Sequence, residues 1–367
     1  MASEQIFGVD RKRALLALAA AALLGFGALA LISQATSFGQ AAHAVAHANK
    51  AWFAGLVGGE LVAYAGYTVG YRTIARACGG LLFPYRTTLQ LVIASFGAYV
   101  IASSAGGLGV DYWALHHGGD GPHRAGRRVL GFNILEWAML GAFASAAAVV
   151  ELVRGGSSPL AMTLAWLVVT PAATAAALWT SAGARGHRLA SLPRTLPAAR
   201  GILTRSRLRW LASAARAGFA DAIGALVFLR MLLGRPLRYG SAPLGFALYW
   251  LGDLFTLYAG LRALGGDVGG AALVLAYSTG YVVTSSPLPA GAAGFAEAST
   301  AYSLHAVGVP LGTAILTVVL YRVFTFWLPI APALALLPRV RALADRLPET
   351  PREADPPCTL ELERAAG

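Results

Sequence analysis

Charged residues are scarce in this sequence: Asp, Glu, Lys and Arg together make up 13% of its 367 residues. Soluble domains carry about a quarter of such residues, so the composition argues against a water-soluble globular protein. Acidic residues are fewer than basic ones, 17 against 29, and lysine occurs only as Lys12 and Lys50. Two cysteines, Cys78 and Cys358, are too few for a disulfide framework or a cysteine-based zinc site.

Common catalytic signatures are also missing. The sequence has no Walker A motif and no Gly-x-Ser-x-Gly motif, which argues against P-loop nucleotide hydrolysis and α/β-hydrolase chemistry. A glycine-rich stretch holds zinc-type side chains, but without a regular ligand spacing, so we predict no metal and no cofactor. These side chains are His116, His117, Asp120 and His123.

The sequence is rich in long apolar runs. Hydrophobic residues make up 57% of the chain, and the mean hydropathy is +0.60. A run of about 20 apolar residues can cross a bilayer as a helix, and the runs show no alternation that would indicate a barrel. We therefore predict an all-α, polytopic integral membrane protein with about 7–9 membrane segments. The candidates are Ala14–Ile32, Trp52–Tyr71, Thr87–Ser104, Val129–Val153, Leu160–Thr180, Trp210–Leu233, Ala242–Leu264, Ala271–Ser285 and Leu311–Leu337.

The net charge of +12 is concentrated between the apolar runs. Residues 181–209 carry seven arginines and no acidic residue. Such loops follow the positive-inside rule and favour anionic headgroups over a nucleic-acid partner, so we expect an inner (plasma) membrane protein with a cytoplasmic N-terminus. We divide the chain into a cytoplasmic segment 1–10, one transmembrane domain 11–340 and a disordered polar tail 341–367. The side on which the tail lies stays open.

Two stretches of the sequence resemble each other. Tyr99–Ser104 leads into Gly106, Gly107 and Gly109 and then Asp111, and Tyr281–Ser286 leads into Gly291 and Gly294 and then Glu297. The preceding segments also pair, one carrying Glu60 and the other Asp253. We predict an internal repeat, with approximate halves 11–155 and 205–340, and with two broken or re-entrant segments. Interrupted segments in matching halves are the best sequence indication of a transporter's binding site.

The second break predicts a polar cavity. Pro287, Pro289, Gly291 and Gly294 cannot all lie in one regular helix without loss of backbone hydrogen bonds. Unpaired backbone at membrane depth survives only against protein or a wet cavity. We expect the cavity to be lined from residue 285 to residue 297.

Ionised residues within the apolar segments are candidates for this cavity. Arg322 lies about 15 Å from either end of its segment, so it needs a buried acidic partner, for which we predict Glu297 or Asp253. The N-terminus of the helix from Phe295, together with Arg322, could bind an anion. We assign no catalytic residue. The predicted substrate-binding residues are Arg322, Glu297, Asp253, Asp111, Tyr321, Ser286, Gly291 and Gly294.

Residues 285–329 resemble the transmembrane region of lysylphosphatidylglycerol synthases, a flippase-domain family that also occurs in stand-alone form. The resemblance rests on Ser285–Gly291, Gly294–Glu297, Val307–Pro310 and Leu320–Pro329. Gly252-Asp253-Leu254 and Gly106-Gly107 with Asp111 fit it as well. The chain departs from the family pattern at Ala290–Gly294, Gly70–Arg72 and Ser104–Gly106, mostly in the first half.

The resemblance implies that the protein moves a phospholipid or lipid-linked headgroup across the membrane. The residues after Pro338 are too few for a soluble aminoacyl-transferase domain, so we expect a transporter rather than a synthase. Expected partners are membrane lipids with an anionic or lipid-linked headgroup, a separate aminoacyl-transferase or glycosyltransferase, and a second copy in a homodimer. Two alternatives stay open: a membrane-embedded transferase acting on lipid-linked substrates, and a non-catalytic partner of a cell-envelope enzyme.

Overall fold

The computed structural model describes residues 5–6, 9–10, 46–156, 158–190, 206–285 and 294–344. Strands β1 (Gln5–Ile6) and β2 (Val9–Asp10) pair antiparallel, and the predicted first segment Ala14–Ile32 lies outside the described residues. Short 3-10 turns cover Ala77–Gly79 and Val282–Ser285, and a π-helix covers Val323–Trp327. The α-helices are α1 (Ala51–Arg76), α2 (Tyr85–His117), α3 (Pro122–Arg154), α4 (Leu160–Thr180), α5 (Gly183–Ala190), α6 (Ser206–Leu233), α7 (Pro236–Tyr239), α8 (Ser241–Ala263), α9 (Gly270–Tyr281), α10 (Phe295–Ala306), α11 (Leu311–Arg322) and α12 (Ile330–Ala344).

Four helices of the described part are long and apolar enough to cross a membrane. They are α3, α4, α8 and the stretch Leu311–Ala333, which joins α11 to the start of α12. A shorter apolar helix covers Gly270–Ser285. Most side chains of α4 are exposed, as those of a lipid-facing helix would be. These observations confirm the predicted fold class, an all-α bundle that passes several times through a membrane.

The centre of the bundle is a close contact between the glycine-rich helices α1 and α8. A Cβ atom at Gly59 would lie 2.7 Å from the carbonyl oxygen of Gly252, and one at Gly252 would lie 2.5 Å from that of Gly59. In the same way, a Cβ atom at Gly66 would lie 2.6 Å from the carbonyl oxygen of Gly245, and one at Gly245 would lie 2.6 Å from that of Gly66. Small residues let two backbones approach this closely inside a membrane. Because a later residue of α1 contacts an earlier residue of α8, the two helices are antiparallel.

The same contact relates the two halves of the chain. Gly59-Glu60-Leu61 in α1 matches Gly252-Asp253-Leu254 in α8, and the glycines of both triplets meet at the helix crossing. Matching segments that run in opposite directions indicate an inverted repeat with an approximate two-fold axis in the membrane plane. The axis passes near Glu60 and Asp253, the residues that follow the two glycines.

Helix α2 is folded back on itself as a helical hairpin. The Ser95 hydroxyl lies 3.0 Å from the Gly107 carbonyl oxygen and 3.0 Å from Oδ2 of Asp111. A straight helix from Ser95 to Asp111 would separate these residues by about 24 Å, so the chain reverses between Tyr99 and Gly107. The predicted re-entrant segment is therefore present, but its turn comes before Gly107 and Gly109. A Cβ atom at Gly107 would lie 3.3 Å from the Ser95 carbonyl oxygen, which shows that this glycine lets the two arms pack.

The second hairpin consists of α9 with its 3-10 extension and α10. A Cβ atom at Gly280 would lie 2.4 Å from Cα of Thr300, so the two arms touch near the tip. Its connection, residues 286–293, lies outside the described part of the chain. Both arms are shorter than a full span, with α10 at 12 residues or about 18 Å.

The bundle has two ends of different charge. Contacts between Thr73 and Ser241 (2.8 Å) and from Arg128 to the carbonyl oxygens of Ala75 and Ala77 join the last turns of α1 to the first turns of α8 and α3. We name this the basic end; its exposed or half-exposed arginines include Arg72, Arg76, Arg86, Arg185, Arg188, Arg235 and Arg238.

The opposite end joins the start of α1 to the end of α8, where the amide of Asn49 donates to the carbonyl oxygen of Ala263 at 2.8 Å. Helices α9 and α11 begin at this end and α10 returns to it. The first hairpin therefore enters the bundle from the basic end, and the second hairpin enters from the opposite end. Two hairpins of opposite entry are what an inverted repeat requires.

Helix α6 departs from the prediction of a spanning segment over Trp210–Leu233. Asp221 lies 3.6 Å from Arg127 in the second turn of α3, and Arg230 donates to the carbonyl oxygen of Leu178 near the end of α4. Both contacts lie at the basic end, so residues 221–233 run along that end instead of crossing. The charged residues of α6 find partners there that lipid would not provide.

Helix α12 continues to Ala344, past the predicted start of the tail at residue 341. A Cβ atom at Gly97, in the first hairpin, would lie 2.4 Å from Cβ of Ala333. Because α11 starts at the opposite end and α12 packs along a hairpin that rises from the basic end, α12 leads the chain toward the basic end. Residues 345–367 lie outside the described part.

Candidate functional site

A cavity of about 290 Å³ lies where the two hairpins meet the crossing of α1 and α8. Its lining includes Tyr99, near the turn of the first hairpin, and Thr284 of the second. The cavity is thus bounded by an element entering from each end of the bundle. The ionisable side chains in its wall, apart from tyrosines, are Glu60, Asp111, Glu136, Asp253 and Arg322.

Asp253 is held by two tyrosine hydroxyls. Tyr277 on α9 and Tyr321 on α11 both donate to its Oδ2 atom, the second at 2.8 Å. The two tyrosine rings meet edge to face with their centres 6.2 Å apart. Two hydroxyl donors on one oxygen stabilise the ionised form of this carboxyl group.

Arg322 forms an ion pair with Glu297, with Nε 3.0 Å from Oε1. The other carboxylate oxygen of Glu297 accepts the amide of Gly294, which has a φ of +86° at the start of α10. This confirms Glu297 as the acidic partner of Arg322. It also shows that Glu297 already satisfies the helix N-terminus at which the sequence predicts an anion.

The backbone widens directly after Arg322. The amide of Leu328 donates to the carbonyl oxygen of Val323 at 2.8 Å, five residues back, which is the hydrogen bond of a π-helix. Such insertions are frequent at functional sites, because they redirect the side chains of one turn. Here the Arg322 guanidinium stands 5.4 Å from the centre of the Phe326 ring, one turn ahead.

The first half of the cavity wall has carboxyl groups without a cation. Asp111 is 1% exposed, bonded to Ser95 through Oδ2, and its Oδ1 has no hydrogen-bond partner among the described residues. Glu136 on α3 and Tyr67 on α1 also line this part of the cavity. Glu60 follows the α1–α8 crossing, and its Oε2 likewise has no partner in the described part of the chain. Unpartnered buried oxygens of this kind are candidate ligand contacts.

A model of the family described as lysylphosphatidylglycerol synthase TM region matches residues 15–333 of this sequence. The chain belongs to this family. The match includes every cavity residue named above and identifies a multi-pass membrane protein of lipid-related function. None of the curated proteins compared matches the chain.

Most of the residues predicted for the site come together in this family member. Asp111, Asp253, Tyr321 and Arg322 line the cavity. Glu297 forms an ion pair with Arg322 of the cavity wall, and the Gly294 amide donates to Glu297 at the N-terminus of α10. Ser286 and Gly291 lie outside the described residues. The roles of all eight residues in binding stay predictions.

Some residues of the site had little or no sequence signal. Glu60 was indicated by the pairing of its segment with that of Asp253, and the match between Gly59-Glu60-Leu61 and Gly252-Asp253-Leu254 strengthens that pairing. Ser95 and Tyr277 are neutral residues inside apolar helices, and nothing in their spacing marks them. Asp120, considered above as a metal-type side chain, instead binds Arg124 at 3.2 Å and Arg128 at 3.0 Å.

Proposed function

We propose that the protein is a flippase, which moves the headgroup of a phospholipid or lipid-linked precursor across the inner membrane through this cavity. The observation that carries the proposal is the cavity itself, a group of ionisable side chains between two hairpins that enter from opposite ends of the bundle. Charges at bilayer depth are costly and are retained where they serve a pathway. The acyl chains would stay in lipid beside the bundle.

The wall of the cavity favours a headgroup with an amine as well as a phosphate. Four carboxyl side chains and one arginine line it, and that arginine is paired with Glu297. An ammonium group would pair with the carboxylates of the wall. A phosphate would pair with Arg322 and replace Glu297 as the partner of its guanidinium. Lysylphosphatidylglycerol, for which the family is named, combines these two groups. A separate aminoacyl-transferase or glycosyltransferase would then supply the lipid.

The positive-inside rule supports a cytoplasmic basic end. The described cations of the opposite end are Lys50, Arg154 and Arg262, far fewer than at the basic end. The first hairpin would then enter from the cytoplasm and the second from outside, and each could open the cavity to one side in turn.

A lipid-translocation assay tests the proposal. Purified protein in proteoliposomes should expose inner-leaflet phosphatidylethanolamine or phosphatidylglycerol, labelled with NBD on the headgroup or acyl chain, to external dithionite. Asp253→Asn removes the charged acceptor of two tyrosine hydroxyls, and each hydrogen bond to a charged group contributes about 1.5–3 kcal/mol. The variant should therefore slow lipid translocation about tenfold or more. Asp267→Asn, the same change at a residue 76% exposed at the opposite end, is the control. Movement no faster than in protein-free vesicles would contradict the proposal.

A further inference from the structure

If Asp111 is ionised, the Ser95 hydroxyl has two acceptors beside it but only one proton to donate. The Ser95 hydroxyl lies 3.0 Å from two acceptors, the Gly107 carbonyl oxygen and Oδ2 of Asp111. A serine hydroxyl has one proton to donate and two lone pairs that accept. Both contacts become full hydrogen bonds when Oδ2 carries a proton and donates it to Ser95, which in turn donates to Gly107.

The surroundings of Asp111 support a neutral carboxyl. The side chain is 1% exposed, and no cationic side chain of the described residues bonds to it. The ionisable groups that face it are Tyr67 and Tyr71 on α1 and Glu136 on α3, and none of them brings positive charge. A buried carboxylate without a counter-charge is strongly disfavoured relative to the acid.

The matching position in the second half shows the contrast. Glu297 also follows the turn of its hairpin, but it is bonded to the Arg322 guanidinium and to the Gly294 amide, so its negative charge is balanced. In the first half a proton takes the place of that arginine. Asp111 lines the cavity, and its Oδ1 atom has no hydrogen-bond partner among the described residues, so the carboxyl group lies where it can exchange a proton with water in the cavity.

We propose that Asp111 is a proton-exchange site of the transport cavity, which holds a proton when no cation is bound and releases it to cavity water when an ammonium headgroup enters. On release the bond between Oδ2 and hydrogen breaks, its electron pair stays on the carboxylate, and the proton passes to water in the cavity. The ammonium group then balances the carboxylate charge. The release step rests on the proposed flippase function, whereas the bound proton does not.

Infrared spectroscopy of the full-length protein in phosphatidylglycerol nanodiscs tests the bound proton directly. At neutral pH the wild-type spectrum should contain a carboxylic-acid C=O stretch that shifts in D₂O and is lost in Asp111→Asn. Asp267→Asn should retain it, because Asp267 is exposed and paired with Arg262. Ser95→Ala should retain the band but shift it, since only the acceptor is removed; this variant serves if Asp111→Asn fails to fold. Spectra of wild type and Asp111→Asn that coincide in this region, or a Ser95→Ala band that does not move, would overturn the proposal.

The release step has its own readout. In proteoliposomes, wild-type translocation of phosphatidylethanolamine that carries NBD on its acyl chain and a free headgroup amine should slow as the pH falls, since protons then compete with the ammonium group for Asp111. Asp111→Asn should lose this pH dependence, and Asp267→Asn should keep it. A pH-independent wild-type rate would overturn the exchange step. No probe movement in any variant would remove the flippase function and the exchange with it, and the infrared band would still decide whether Asp111 holds a proton.

Discussion

At the scale of single residues, the pair of Arg322 and Glu297 differs from an ordinary surface ion pair. Both side chains are largely buried, and their atoms approach to 3.0 Å. Arg322→Gln leaves Glu297 as an uncompensated buried charge, which should lower the free energy of unfolding by about 3–5 kcal/mol. Reversible unfolding in mixed detergent micelles measures the change.

The matched comparison for this prediction is Arg262→Gln. Arg262 pairs with Asp267 at 2.8 Å, but the two side chains are 36% and 76% exposed. Loss of such a pair should cost about 0–1 kcal/mol. The double variant Arg322→Gln/Glu297→Gln should lose less than the sum of the single variants, because both members of the pair are removed together. Equal effects of Arg322→Gln and Arg262→Gln would contradict a buried ion pair.

Sequence reasoning finds such residues unevenly. Arg322, Glu297 and Asp253 stand out because an ionised group inside an apolar run is costly and needs a reason. Ser95 and Tyr277 do not stand out, because serine and tyrosine are tolerated in membrane helices without any partner. Their importance arises from contacts between elements far apart in sequence, and only the folded arrangement reveals these.

At the scale of elements, the crossing of α1 and α8 depends on glycine at one face only. A Cβ atom at Gly59 would lie 2.3 Å from the Thr256 hydroxyl oxygen and 2.7 Å from a backbone oxygen, whereas a Cβ atom at Gly58 would have no neighbour within 4 Å. Gly59→Ala should therefore destabilise the protein by about 1–3 kcal/mol, the usual cost of overpacking.

Gly58→Ala is the adjacent control, with the same added atom on the same helix. It should leave stability unchanged or raise it by up to about 1 kcal/mol, since alanine is the better helix former. Thermal unfolding of both variants, followed by intrinsic fluorescence in one detergent, gives the comparison. A Gly59→Ala variant as stable as Gly58→Ala would show that the two helices do not cross at this position.

The elements also show where pattern alone fails. Apolar composition predicts the hairpins as broken segments, but not the place at which the first one turns. The glycines at residues 106–109 were expected to form the break, yet Gly107 and Gly109 are helical, and Gly107 serves the packing of one arm on the other. Hydropathy likewise predicts a spanning helix at Trp210–Leu233, although Asp221 and Arg230 bind partners at the basic end.

At the scale of the whole molecule, the position of α6 determines at which end of the bundle the later elements, α8, the second hairpin and α12, begin. If α6 crossed the membrane, both hairpins would enter from the same side and the chain would end opposite its arginine-rich loops. Because residues 221–233 stay at the basic end, α8 starts there, the second hairpin enters from the opposite end, and α12 returns toward the arginines.

This topology predicts the sides from which two exposed residues can be labelled. Leu237 on α7 is fully exposed at the basic end, and Asp267 is 76% exposed at the opposite end. In a background without Cys78 and Cys358, Leu237→Cys should react with a membrane-impermeant maleimide only after cells are permeabilised. Asp267→Cys should react in intact cells, as expected from the proposed cytoplasmic position of the basic end.

The cysteine-free background protein is the control for unspecific labelling, and a second pair strengthens the assignment. Arg76→Cys, at the end of α1, should behave like Leu237→Cys, and Arg154→Cys, at the end of α3, should behave like Asp267→Cys. Labelling of Leu237→Cys and Asp267→Cys from the same side would mean that α8 does not cross the membrane. The two hairpins would then enter from one side, which would contradict the inverted repeat.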